Sequence, residues 1–154
     1  MLRILCLICL AAPALADEAP GFIDDRSSPE RVVISLYNAI DRQEYLRGWS
    51  YFSPDAAPPY PQFRDGYAET ASVVLRLGKV ESEGAAGSVY SSVPVALRAV
   101  GADGAEQVFI GCYRLRQVQP AIQDRPPFRP ITIESGKLLR SDKPFAEAMG
   151  VCTD

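Results

Sequence analysis

The chain contains no histidine. That single gap removes Ser–His and Cys–His nucleophile pairs, imidazole metal ligands and any histidine-based pH switch. Acid–base chemistry would have to come from carboxylates and phenols. A carboxylate acts as a base near neutral pH only where an apolar site raises its pKa. The acids available for such a role are Asp41, Asp55, Asp65, Glu69 and Glu134, and all but the last sit in polar or turn-rich sequence. Glu134 has Ile131, Ile133 and Leu138 nearby. Strand alternation, however, puts Ile131 and Ile133 on the face opposite Glu134, so they do not desolvate it. The plainer reading makes Glu134 an ion-pair partner of Arg98, Arg114 or Arg116. Glu134, Tyr37 and Asp41 are the catalytic candidates, and none of them belongs to a recognisable motif.

Five aromatic residues are candidates for a pocket wall: Tyr37, Trp49, Tyr51, Tyr90 and Tyr113. Each has a structural alternative. Tyr37 falls on an apolar helical stripe, and Trp49-Ser50-Tyr51-Phe52 reads as a knot closing a helix layer. Arg76, Arg98, Arg114 and Arg116 fall on strand patterns, where they would pair with Glu81, Glu106 or Glu134 across strands rather than bind an anion. Phosphate loops and nucleotide fingerprints are absent. The reading therefore implies no cofactor and no metal site.

The cysteines carry different information. Cys6 and Cys9 lie in the apolar run Ile4–Leu10, which follows Arg3 and is broken by Pro13. Ala14-Leu15-Ala16 then fits a small-x-small cleavage site, and residues 1–16 read as a secretory signal peptide. The run is too short to span a bilayer as a helix. The mature chain would be secreted or periplasmic with no stable membrane span. It would keep Cys112 and Cys152, and an even pair in an oxidising compartment favours a disulfide. Closing a loop of about 40 residues stabilises by roughly 3–4 kcal/mol in the chain-entropy account. The bridge would fasten a C-terminal tail, 141–154, to a strand.

These residues need elements to hold them. Residues 17–27 are acidic and read as a short leader. Ser28-Pro29-Glu30 is a helix start with a capping serine, proline in the first turn and an acid complementing the dipole. Val33, Leu36, Tyr37 and Ile40 continue at helical spacing, which predicts a helix of about five turns ending near Leu46. Four prolines between 54 and 61 exclude a regular element there, and 62–68 suits a short third helix. From Thr70 the period becomes two. Strands are expected at 72–80, along Val89–Ala99, along Val108–Arg116, and from Ile131 to Ser135 or on to Leu139. Glu81–Gly87 reads as a turn-rich connection, Gly101-Ala102-Asp103-Gly104 as a hairpin turn, and Pro94 as a mark of an edge or bulge. The order, helices followed by antiparallel strands, is α+β: N-terminal helices on a curved antiparallel sheet of about four strands.

The pattern Ser-Pro-Glu…Leu-Tyr-Asn-Ala-Ile-Asp-Arg-Gln-Glu-Tyr…Gly-Trp-Ser-Tyr-Phe over 28–52, with a short helix and long strands after it, resembles the NTF2-like, or cystatin-like, α+β cone. The resemblance spans 28–140. It implies a long helix and two short ones covering a strongly bent sheet, with a pocket between them. Enzymes of that fold use a carboxylate with a phenol or an imidazole in the cone. Without histidine only the Tyr-plus-carboxylate version is open here.

The net charge is -3 and the pI about 5.0, which disfavours nucleic acid as a partner. The expected role is a non-enzymatic exported module that binds a small molecule or an envelope protein. The competing role is a cofactor-free isomerase- or hydrolase-like enzyme. Self-association through an exposed sheet face is a further expectation.

Overall fold

The computed structural model describes residues 20–153. The expected signal peptide and cleavage site lie outside the described residues.

Helix α1, Pro29–Asp41, begins as expected: the Ser28 hydroxyl accepts the Arg31 N–H at 3.3 Å and Pro29 opens the first turn. It ends a full turn before Leu46. The Gln43 N–H bonds to the Ile40 carbonyl and the Glu44 N–H to the Ala39 carbonyl, both at 2.8 Å, with Gln43 at φ 58°. That is a Schellman stop, with glutamine in the left-handed position that glycine usually fills. The Glu44 carboxylate then bridges Arg42 at 2.8 Å and Arg47 at 2.6 Å. The chain turns into α2, Tyr45–Trp49, and then into α3, Tyr60–Gly66, which begins inside the proline segment read as irregular, because Pro61 sits in the first turn, where a missing N–H costs no helical bond.

Five strands form one antiparallel sheet: β1 Thr70–Leu77, β2 Glu81–Ala85, β3 Ser88–Gly101, β4 Glu106–Val118 and β5 Thr132–Ser141. The fifth is β2, in the segment read as a turn. It is Glu-Ser-Glu-Gly-Ala, exposed throughout, so it has no apolar alternation to reveal it. β1 and β2 share one edge of β3, pairing with its second and first halves respectively. Pro94 stands at the changeover. Its carbonyl accepts the Gly78 N–H at 2.8 Å, and in an antiparallel strand a residue's N–H points the same way as its C=O. The missing N–H of Pro94 thus faces the gap between β1 and β2.

One face of the sheet is covered by helices. Val32, Val33, Leu36, Tyr37 and Ile40 of α1 are buried against Val93, Val95 and Leu97 of β3, Tyr113 and Leu115 of β4, and Ile133 of β5. Each such aliphatic side chain contributes about 1.5–3 kcal/mol when fully buried. This is the α+β arrangement of three helices on a curved antiparallel sheet, consistent with an NTF2-like cone.

Both ends of the described segment are fastened. Residues 20–27, the described part of the segment 17–27 read as a leader, are tied to α1. The Asn38 side chain accepts the Ile23 N–H at 2.9 Å and donates to the Gly21 carbonyl at 2.7 Å, while Ser35 accepts the Asp25 N–H at 2.8 Å. The C-terminal tail after β5 runs back across the outer sheet face. Arg76 donates to the carbonyls of Phe145 and Ala146, the Gly150 N–H reaches the Val95 carbonyl at 3.1 Å, and Ala148 is buried. Gly150 crosses directly over the Gly111 backbone, with no room for a Cβ. The Cys112–Cys152 disulfide is formed, with Cα atoms 5.2 Å apart.

Candidate functional site

The helices leave a space between α3 and the sheet unfilled. Val73 from β1, Leu97 and Ala99 from β3, Phe109 from β4 and Leu138 from β5 make one wall of a cavity of about 380 Å³. Phe63 and Tyr67 from the third helix and its C-terminal turn, with Pro58 before it, close the other side, and Tyr37 reaches in from α1. These positions follow from local rules. On β3, 97 and 99 continue the buried face begun at 93 and 95, and on β4, 109 shares a face with 113 and 115. Phe63 packs edge-on to both Phe52 and Tyr67, with ring centroids 5.8 and 5.1 Å apart, and this fixes α3 over the sheet.

The lining carries neither a carboxylate nor a cation. Its polar groups are phenols, together with Gln62 and Thr70. Tyr37 and Tyr113 join hydroxyl to hydroxyl at 2.6 Å, α1 to β4 across the core, with the rings in an edge-to-face contact. Tyr113 lies over Gly136 of β5, where any Cβ would collide with the ring. Burial pushes the Tyr37 and Tyr113 hydroxyls well above the ordinary phenol range, and Tyr67 nearby pushes the same way. Burial raises Tyr67 as well. All three are neutral phenols at physiological pH: they donate or accept hydrogen bonds but supply no phenolate base.

The catalytic candidates do not converge. Tyr37 lines the cavity, but Asp41 is used at the end of α1, where its carboxylate accepts the Val73 N–H at 2.9 Å and pins the helix to edge strand β1. Glu134 is the residue skipped in the β4–β5 register, where Arg114 pairs with Ser135 and Leu115 with Ile133. This bulge turns its carboxylate toward the Ser53 and Thr132 hydroxyls, at 3.2 and 3.3 Å. Bulges re-aim side chains in this way, and no alternation rule foresees one.

The remaining pocket candidates divide. Tyr113 belongs to the hydroxyl pair. Trp49 packs on Tyr60 and donates to the Pro58 carbonyl at 2.7 Å, outside the cavity lining. Tyr51 is fully buried under Arg26, with its hydroxyl on Asp24 at 2.8 Å. Tyr90 is on the outer face, between Arg114 and Arg116. Of the expected arginine partners, Glu106 pairs with Arg98 at 3.8 Å, whereas Arg114 meets Glu83 at 2.6 Å, a partner supplied by the unforeseen strand β2. Tyr67, Phe63 and Phe109 were not among the pocket candidates. The alternation that assigns Phe109 to the face of Tyr113 is the signal that could have found it.

A second hollow, of about 540 Å³, lies on the outer face between the tail and β5, beside the disulfide. It is larger, but the tail backbone makes one of its walls and Lys137 and Arg114 border it. Ligand sites are usually concave, mainly apolar and carry a few convergent polar groups. The cone cavity has that character. Among the described residues no cluster of His, Cys, Asp and Glu could hold a metal ion, and no helix is long and apolar enough to cross a membrane.

No family model matches the chain, and no curated protein matches it. Among solved structures it is similar to one described as "a putative aromatic ring hydroxylase" from Novosphingobium aromaticivorans, with a TM-score of 0.55. The likeness is one of fold. It extends over 76% of this chain and 93% of that one, at 16% identity. The chemistry of the site has to be read from its own residues.

Proposed function

We propose that this protein is an exported, non-catalytic module that holds a small neutral molecule in the cone cavity. The observation that carries the reading is the lining itself: a concave, mainly apolar space bounded by phenols and without an ionised group. Such a space favours apolar surface at about 25 cal/mol per Å² removed from water and disfavours an ionised ligand, whose charge would be buried unpaired. The alternative, an enzyme pairing a tyrosine with a carboxylate, lacks its base, because Asp41 and Glu134 are committed elsewhere. Export is supported by the signal-like N-terminus and by the disulfide, which belongs to oxidising compartments.

The test uses N-phenylnaphthylamine, a neutral apolar fluorophore, titrated into wild type and Ala99→Trp. Ala99 lines the cavity from β3, so an indole there occupies the space. The reading expects saturable fluorescence enhancement with wild type and its loss with the variant. Equal enhancement by both proteins, or none by either, would remove the cavity from the account.

A further inference from the structure

Two phenols that face each other hold two protons, and the bond between them uses one. Whichever of Tyr37 and Tyr113 donates across the 2.6 Å contact, the other keeps an O–H. Neither oxygen has another hydrogen-bond partner among the described residues. The pair is buried, with both side chains only 3% exposed, and a buried donor without an acceptor is unfavourable. Tyr37 is itself part of the cavity lining. Tyr113 lies four positions along β4 from Phe109, on the same face of the strand and further from the β3–β4 turn. The unspent proton therefore borders an apolar space whose other polar groups are the Tyr67 phenol and Gln62, from α3 and its C-terminal turn, and Thr70 at the start of β1. A molecule that fills this space most favourably presents apolar surface to Phe63, Phe109, Leu97 and Leu138. It also brings one acceptor to the phenols.

We propose that the cavity selects neutral, mainly apolar molecules bearing a hydrogen-bond acceptor such as a carbonyl oxygen, seated with that acceptor on the Tyr37–Tyr113 hydroxyl pair. This rests on the cavity being a binding site. The acceptor takes the free O–H, and the hydroxyl–hydroxyl bond polarises the donor further, since linked hydrogen bonds strengthen one another. The pair has a property that a lone tyrosine lacks. Replacing either residue by phenylalanine leaves the other hydroxyl with its own proton still free, so a single variant keeps a donor. Only the double variant loses it.

The probes are prodan, a dimethylaminonaphthalene carrying a propionyl ketone, and the same dimethylaminonaphthalene without that group. One hydrogen bond to the ketone corresponds to about five- to tenfold tighter binding of prodan. In wild type its emission should be red-shifted relative to an apolar solvent, as for a hydrogen-bonded ketone. Both single variants should keep most of the preference, and Tyr37→Phe/Tyr113→Phe should lose it while still binding both probes. Equal affinity for the two probes in wild type, with unshifted emission, would overturn the proposal yet leave the cavity a binding site. Binding of neither probe would overturn both. Loss of the preference in Tyr67→Phe with retention in the double variant would overturn the proposal by making Tyr67 the donor. Should the double variant not fold, the wild-type affinity ratio and emission shift still decide.

Discussion

Removing the disulfide tests how the tail and the sheet share their stability. Cys112 and Cys152 are 40 residues apart in sequence. For a loop of that length the chain-entropy account gives about 4 kcal/mol at room temperature, all of it through restriction of the unfolded chain. The folded tail has other attachments: Arg76 on the Phe145 and Ala146 carbonyls, Phe145 near the Arg76 and Arg98 guanidinium groups, buried Ala148, and the Gly150 N–H on Val95. In a Cys112→Ala/Cys152→Ala variant these should hold the tail in place. The expected outcome is a loss of about 3–4 kcal/mol in urea unfolding. The m-value should rise slightly, because an uncrosslinked unfolded chain exposes more surface. The Gly150 amide should stay protected from hydrogen exchange in the folded variant. A loss under about 1 kcal/mol would refute the loop-closure reasoning. An unprotected Gly150 amide would show that the bridge alone, and not the packing, holds the tail down.

Three further outcomes are expected. Gln43→Gly should stabilise the protein by about 1 kcal/mol, because glycine adopts the left-handed conformation of the Schellman stop without strain; a lower urea midpoint would contradict that turn. Tyr37 and Tyr113 have folded-state pKa values raised above the unfolded value of about 10, so their contribution is complete below pH 10 and is lost as pH rises above it, when the unfolded chain ionises first. An alkaline absorbance titration should show these two phenols ionising only together with unfolding, and free titration near pH 10 in the folded protein would count against their burial. Intact mass of the extracytoplasmic product should begin at Asp17, and a full-length cytoplasmic product would defeat the export reading.

The parts of the fold that were legible in the sequence are those where one residue pattern has one physical meaning. Ser28-Pro29-Glu30 could only begin a helix well, and Val89 to Ala99 with Phe109 to Leu115 could only alternate. The Cys112–Cys152 pairing followed from compartment and count. The misses have a common cause: a signal carried by backbone geometry or by a distant partner rather than by residue type. Gln43 stops α1 with no glycine to announce it. Strand β2 has no apolar residue to bury beyond Ala85, and exists because β3 offers it an open edge. Asn38 lies off the apolar stripe of α1 and is buried only because residues 20–23 fold back onto it. The site was legible to the same degree. Tyr37 and Tyr113 were both candidates, but no one-dimensional pattern could state that their hydroxyls meet. For Glu134, alternation already set Ile131 and Ile133 on the opposite face, but neither its place in a bulge nor its Ser53 and Thr132 partners, in place of an arginine, could be read from the sequence.

The central claim is that the cone cavity holds a small neutral molecule, and native mass spectrometry of protein taken directly from the exported fraction tests it most directly. Wild type and Ala99→Trp would be compared under the same gentle desorption. The account predicts a non-covalent adduct of a small neutral molecule on wild type, released on collisional activation and absent from Ala99→Trp. Bare wild type, or the same adduct on both proteins, would contradict it.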